Sequence, residues 1–338
     1  MSSLLTLSFY GVGVAVESDP ALIAAVEHDF SWFAAEVTQP RLVITRRRER
    51  PDWDHLPEMT AVLATPRNIC FRHGRSTFID YFGRALAVWD PGAGRVEVVT
   101  EDDDLAREIV YLTILSRVSE ALDRRGLHRI HALGVEHRRR GYLVLLPAGG
   151  GKSTLALGLL RRPGSAIRLL SEDSPLLDGR GMLHPFPLRI GVHPHSLPPG
   201  IDPAYTREER RMEFDPKVSI TIRCFASRVA EGPVPAAAAL LGIRTTGKTP
   251  AIRRVPRWRL ARHTLMHSVI GIGLYQGMEF ILQRGLRDVA AHGVLALARV
   301  RGSLALARRA RVFEFMIGRD PAANGEALAR FIEDDAGG

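Results

Sequence analysis

Apolar and polar residues alternate in short runs over residues 1–101: "LTLSFYGVGVAVE", "RLVITRRR", "NICFRHGRSTFIDYFGRALAVWD" and "RVEVVTE". A period of two is that of a half-buried strand, and turn signals such as "DPGAG" separate the runs. One stretch breaks the rhythm. In "DPALIAAVEHDFSWFAAEV" Leu22, Val26, Phe30 and Phe33 recur at helical spacing. Residues 1–101 therefore read as a small α+β domain. The period lengthens again from Asp102 to Arg125, where Leu105, Ile109, Leu112, Leu115, Val118 and Leu122 mark one helical face. Acidic residues open that segment and Gly126 follows its last turn, so residues 102–126 are expected to form a connecting amphipathic helix.

The pattern beyond it reads strand, turn, strand, loop, helix across "HRIHALGVEHRRRGYLVLLPAGGGKSTLALGLL", with "HRRRG" as the turn. A "RRPGS" turn leads to an acidic strand, "AIRLLSEDSPLLD". Strand, phosphate loop, helix and acidic strand make an α/β nucleotide-binding unit. From residue 183 a Pro- and His-rich segment reads as ordered loop with a short strand. "PAAAALLGIRT" and "TPAIRRV" read as a strand pair, and residues 259–332 as helices. Residues 127–332 are expected to be one catalytic domain with C-terminal helices.

Composition narrows the function classes. With 338 residues, 46% of them hydrophobic, the chain has material for two cores. The most apolar stretch, "LMHSVIGIGLYQGMEFIL", is interrupted by His267, Gln276 and Glu279 and falls short of the roughly 18 apolar residues of a membrane span. The N-terminus lacks the basic region and cleavage site of a signal peptide, which predicts a cytoplasmic protein with no membrane partner. Cys70 and Cys224 are too few for a disulfide framework or a zinc site and read as core thiols. The net charge of +9 is concentrated between residues 251 and 311, where twelve arginines face only Glu279 and Asp288. Such a surface attracts anions. "RVRGSLALARRARVF" nevertheless lacks the interleaved aromatics of a nucleic-acid platform, so nucleic acid is not the expected partner.

The chemistry concentrates in "LPAGGGKST". A P-loop reads G-x-x-x-x-G-K-[ST] between a strand and a helix: loop amides cradle phosphates, the lysine reaches the β/γ oxygens and the hydroxyl ligates magnesium. Gly151, Lys152 and Ser153 fill the last three positions, while Leu146 stands where the first glycine belongs. Gly149, Gly150, Gly151, Lys152, Ser153 and Thr154 are the candidate phosphate-binding residues. Glu172 and Asp173, some twenty residues on, supply carboxylates that can hold magnesium or accept a proton from an attacking hydroxyl. ATP and Mg2+ are the expected cofactors.

These residues resemble the catalytic domain of the HPr kinase/phosphorylases and related bacterial serine kinases. His131 lies 21 residues before Lys152, the spacing of the family, and "IRLLSEDSPLL" is similar to its acidic strand. The resemblance covers residues 105–195 and is closest to the HPr-kinase-related branch, which includes kinases of lasso-peptide precursors. It implies a P-loop kinase domain of HPr-kinase-like type behind a smaller α+β N-terminal domain. Lys152 is then the phosphate lysine, Ser153 a magnesium ligand beside Glu172, Asp173 the acceptor of the substrate proton, and His131 a second catalytic group. Leu146 and Ala148 replace the family's loop glycine and serine, Glu172 replaces an aspartate, and the signature loop of true HPr kinase/phosphorylases is absent from the sequence.

Arg189, in "PFPLRIGV", and Lys217, in "FDPKVSI", are candidates for the acceptor side, where positive charge stabilises a moving phosphoryl group. The Arg138–Arg140 cluster reads as solvated. The expected function is transfer of the γ-phosphate of ATP to a serine hydroxyl on a peptide or protein, with homo-oligomerisation open. A small-molecule kinase or ATPase, a nucleotide-gated binding module and a DNA-binding protein are the alternatives.

Overall fold

The computed structural model describes residues 2–147, 149–211, 214–264 and 286–337. Ala148 and the segment 265–285 of the expected C-terminal helices lie outside them. The chain falls into two compact units: Met1–Leu122 with Glu208–Lys217 and Gln276–Ala290, and Asp123–Arg207 with Val218–Tyr275 and Ala291–Gly338. Both are mixtures of sheet and helix, so the chain is α/β in class.

In the first unit the alternating runs become β1 (Ser3–Phe9), β2 (Val12–Ser18), β3 (Leu42–Arg47), β4 (Ala61–Ala64), β5 (Ile69–His73), β6 (Ser76–Asp80), β7 (Leu86–Asp90) and β8 (Arg95–Val99). They form one eight-stranded sheet in the order β1-β2-β3-β8-β7-β6-β5-β4. β4 to β8 run as an antiparallel meander, whereas β3 lies parallel to both β2 and β8. α1 (Pro20–Phe30) connects β2 to β3. It begins where the Asp19 side chain accepts bonds from the amides of Ala21 and Leu22, both 3.1 Å, with Pro20 at the first helical position. The helix is shorter than its periodicity predicts, because residues 31–33 tighten into a 3-10 turn. Phe33 still reaches the core, stacked on Phe9 at 4.3 Å between centroids. β4 carries no sequence signal: three of its four residues are exposed, so no alternation marks it. The long amphipathic helix is α2 (Asp103–Asp123), and each of its six predicted apolar positions is buried.

The second unit holds β9 (Leu127–Arg129), β10 (Leu133–His137), β11 (Arg140–Leu145), α3 (Lys152–Leu160), β12 (Arg168–Ser171), β13 (Leu176–Asp178), β14 (Met182–His184) and β15 (Ile190–Val192). Further along the chain come β16 (Thr206–Arg211) and β17 (Phe214–Ile220), most of whose residues belong to the first unit, then β18 (Val234–Arg244), β19 (Ala251–Arg254), α4 (Trp258–Thr264), α5 (Leu286–Arg309), which belongs to the second unit from Ala291 on, β20 (Arg311–Ile317) and α6 (Pro321–Gly337). The main sheet is ordered β12-β10-β11-β18-β14-β13-β9, with β20 also paired to β18 and β19 to β20. β11, β18 and β20 are mutually parallel neighbours, so their carboxyl ends share one edge. A parallel core is covered on both faces and reads as continuous apolar sequence. Tyr142, Val144, Ala238, Leu240 and Phe315 pack with α3 and α6. The alternate positions Leu143, Leu145, Ala239, Leu241 and Val312 pack with Leu260 of α4 and Leu306 of α5.

Three expectations fail here. The region 259–332 is not all helix, because β20 crosses it. Its central Glu314 is 1% exposed and looks like a surface residue in sequence, yet Arg253 and Arg259 neutralise it. β18 and β19 are not partners, since β20 lies between them. Arg253 donates to Glu314 at 2.6 Å. Nor is Arg140 solvated. It donates to the Asp335 carbonyl at 2.8 Å and carboxylate at 3.2 Å, where Arg311 (2.5 Å) and the Tyr142 hydroxyl (3.1 Å) converge.

The β10–β11 turn is made by Arg138 (φ 48°) and Arg139 (φ 58°), two side chains in the left-handed region. Such two-residue hairpin turns favour Asn-Gly. The Arg139 amide compensates by donating to Glu136 Oε1 at 2.5 Å. The double substitution Arg138→Asn, Arg139→Gly is expected to stabilise the protein by about 1 kcal/mol, read as a higher urea midpoint. Among the described residues no helix is long and apolar enough to cross a membrane.

Candidate functional site

The glycine loop leaves the carboxyl end of β11. Leu146 continues the strand's packing: it is 2% exposed and lies against Gly242, where an added Cβ would come within 2.2 Å of its Cδ2. The residue that breaks the P-loop pattern is thus a core residue facing a glycine of β18. The chain then turns, with the Gly150 amide donating to the Pro147 carbonyl at 3.0 Å. A Cβ at Gly150 would sit 2.8 Å from that same carbonyl oxygen. Gly151, at φ 101°, sets up α3 in a conformation that side chains resist. No side chain caps α3, so its first amides point outward as anion donors.

Lys152 is the first residue of α3 and is buried. Its ammonium donates to the Leu146 carbonyl (2.9 Å), the Pro147 carbonyl (3.3 Å) and Nε2 of His131 (2.9 Å), and pairs with Asp173 Oδ1 at 3.3 Å. The other ring nitrogen of His131, Nδ1, lies 3.2 Å from Asp173 Oδ1 and donates a hydrogen bond to it, so the imidazole bridges Lys152 and Asp173. Ser153 Oγ donates to Glu172 Oε1 at 2.6 Å. Glu172 and Asp173 follow β12 in a turn that Ser171 holds, its hydroxyl accepting from the Ser174 amide at 3.0 Å.

The fold therefore brings together His131, Lys152, Ser153, Glu172 and Asp173, which the sequence scatters over 43 positions. Gly149 and Thr154 flank them on the loop and in the first turn of α3. Arg189 immediately precedes β15 and is half-buried, and Lys217 lies in β17, in the segment belonging to the first unit. Sequence reasoning missed Arg129, two residues before His131. It donates to Ser174 Oγ at 3.0 Å and its charge acts on Asp173.

Desolvation raises the Asp173 carboxyl, but the His131 hydrogen bond and the charges of His131, Lys152 and Arg129 outweigh it and bring the pKa down to about 2. A depressed folded-state value adds stability that is present above the ordinary carboxylate range and is lost as the pH falls towards 2. Wild type should therefore exceed Asp173→Asn in stability at neutral pH, and the difference between their urea midpoints should shrink from pH 4 to pH 2. A gap unchanged across that window would show that the charge of Asp173 does not hold this corner together.

Compared with known proteins, the chain matches no family model and no curated sequence. Ser153, Glu172 and Asp173 offer hard oxygen donors, the type magnesium takes, on one side of the glycine loop. Among the described residues no group of three or more His, Cys, Asp or Glu side chains is arranged to hold a metal.

Proposed function

We propose that this chain is an ATP- and magnesium-dependent kinase that transfers the γ-phosphate to a serine hydroxyl of a peptide or protein. The observation that carries the reading is the contact set of Lys152. A lysine at the start of a helix, behind a glycine loop, is bonded to a histidine and to a carboxylate that is ionised at neutral pH. The resemblance to the HPr kinase/phosphorylase family, through His131, the loop and the acidic strand, supports the same roles.

In this reading the amides of residues 149–154 and the Lys152 ammonium bind the phosphates. Ser153 and Glu172, with Asp173, hold magnesium, which when bound draws charge from the β- and γ-oxygens. Asp173 orients the acceptor hydroxyl and takes its proton as the new O–P bond forms and ADP leaves. A carboxylate with so low a pKa is a weak base, which suits a loose transition state in which the proton moves late. His131 fixes the carboxylate.

Transfer of γ-labelled phosphate into host lysate and into small peptides encoded nearby tests this, with Lys152→Ala and Asp173→Asn as controls. A labelled polypeptide that both variants abolish is the expected result. Loss of γ-phosphate without any labelled polypeptide would point to a small-molecule kinase or ATPase. Nucleotide binding with no turnover would favour a nucleotide-gated binding module. The observation on that side is that Lys152 is bonded back to its own loop at Leu146 and Pro147.

A further inference from the structure

A cavity of about 300 Å3 opens beside the glycine loop, within the second unit. It follows the carboxyl edge of the parallel strands: Gly150 and Gly151 after β11, Arg244 and Thr245 at the end of β18, Gly318 and Arg319 after β20. Open parallel sheets bind their ligands at this edge. Strand order gives the cavity a direction. β12, which leads into Asp173, and β18 with β20 lie on opposite sides of β11. A nucleotide with its terminal phosphate at Lys152 and Asp173 and its phosphate chain over the loop therefore extends its other end towards β18 and β20. The volume stands at the lower end of the roughly 300–1,000 Å3 of small-molecule pockets, room for one nucleoside.

The lining is rich in donors. No acidic residue is among the described residues that line it. Arg244 and Arg319 are exposed, and among the described residues neither pairs with a carboxylate. A guanidinium stacks on an aromatic plane and offers only donors. Asn324 is 4% exposed and already engaged, accepting from the Gly318 amide and donating to the Gly318 carbonyl, both at 2.9 Å. It props the wall and does not read a ligand. Thr245 Oγ1 donates to the Ile317 carbonyl at 3.3 Å. Among the described lining residues no carboxylate or free side-chain amide is placed to demand a 6-amino group, while arginine donors suit the N7 acceptor common to both purines.

We propose that this cavity holds the purine nucleoside of the bound nucleotide, that Arg244 and Arg319 stack on and donate to the base, and that 6-amino and 6-oxo purines are accepted alike. The inference rests on the nucleotide reading above, and calorimetry with three probes separates the two. ATP, GTP and inorganic tripolyphosphate are titrated with magnesium into wild type, Lys152→Ala and Arg244→Ala/Arg319→Ala. ATP and GTP should bind within about fivefold of each other, and both more tightly than tripolyphosphate. The double variant should weaken both nucleotides by about tenfold and leave tripolyphosphate within about twofold. Lys152→Ala should weaken all three.

If the double variant weakens tripolyphosphate as much as ATP, the arginines hold phosphate and the nucleoside assignment falls. GTP binding a hundredfold below ATP would overturn the base indifference. Tripolyphosphate binding as tightly as ATP would sink the pocket alone and leave the phosphate loop standing. Failure of all three probes to bind wild type would remove the nucleotide reading itself.

Discussion

Asp173→Asn is expected to lower phosphoryl transfer by about 10³-fold, within the range for loss of a positioned proton acceptor. Asparagine keeps the size of the side chain and can still accept the bond from Nδ1 of His131, so the variant should stay folded at neutral pH while losing the stability that the charge supplies. What it loses is the charge that faces Lys152 and the ability to take a proton. Nucleotide affinity should stay within a few-fold, because phosphate binding rests on the loop amides and Lys152. The effect should therefore fall on kcat with KM for ATP nearly unchanged, which steady-state kinetics reads directly. His131→Ala should cost less, about tenfold, since the histidine acts by holding the carboxylate. Equal losses for both variants would place His131 in direct contact with the reacting groups.

Asp335→Ala carries the largest expected cost in stability, about 3–5 kcal/mol, the range for removing one partner from a buried ion pair. Asp335 is 6% exposed, and three donors from three strand positions converge on it: Arg140 and Tyr142 of β11 and Arg311 of β20. Burial and the neighbouring carboxylate both push the Tyr142 hydroxyl well above its usual pKa, so in the variant it remains a neutral donor with no acceptor. Two guanidinium groups are left facing each other in the same place. The loss should detach α6 from the sheet edge and lower the midpoint of thermal unfolding by about 10 °C. Asp335→Asn, which keeps an acceptor oxygen but loses the charge, should fall between the two.

Local signals were legible in the sequence, and long-range ones were not. α2 announced itself because its six apolar positions bury one continuous face. The glycine loop before α3 did so because its glycines are consecutive and directly precede the helix. β20 stayed hidden because Glu314 interrupts its apolar run, and what makes Glu314 tolerable inside the protein are arginines 55 and 61 residues away in the chain. Leu146 looked like a defect in the loop until Gly242 appeared beneath it. The acceptors of Lys152 were equally unreadable, for two of the four are backbone carbonyls. Arg244 and Arg319 face one cavity only because β18 and β20 are adjacent parallel strands, a pairing that no short-range pattern encodes.

An ammonium has three protons, and those of Lys152 are already shared among the Leu146 and Pro147 carbonyls, His131 and Asp173. Whatever anion reaches this lysine arrives by substitution and not by simple addition. Each phosphate oxygen it gains is set against a carbonyl released to solvent, so the enthalpy of association is small even where the affinity is useful. On the proposed reading the loop closed by its own lysine works as a competitor of fixed local concentration, and a polyphosphate that satisfies the lysine and the α3 amides together should displace it more readily than an anion that offers one oxygen.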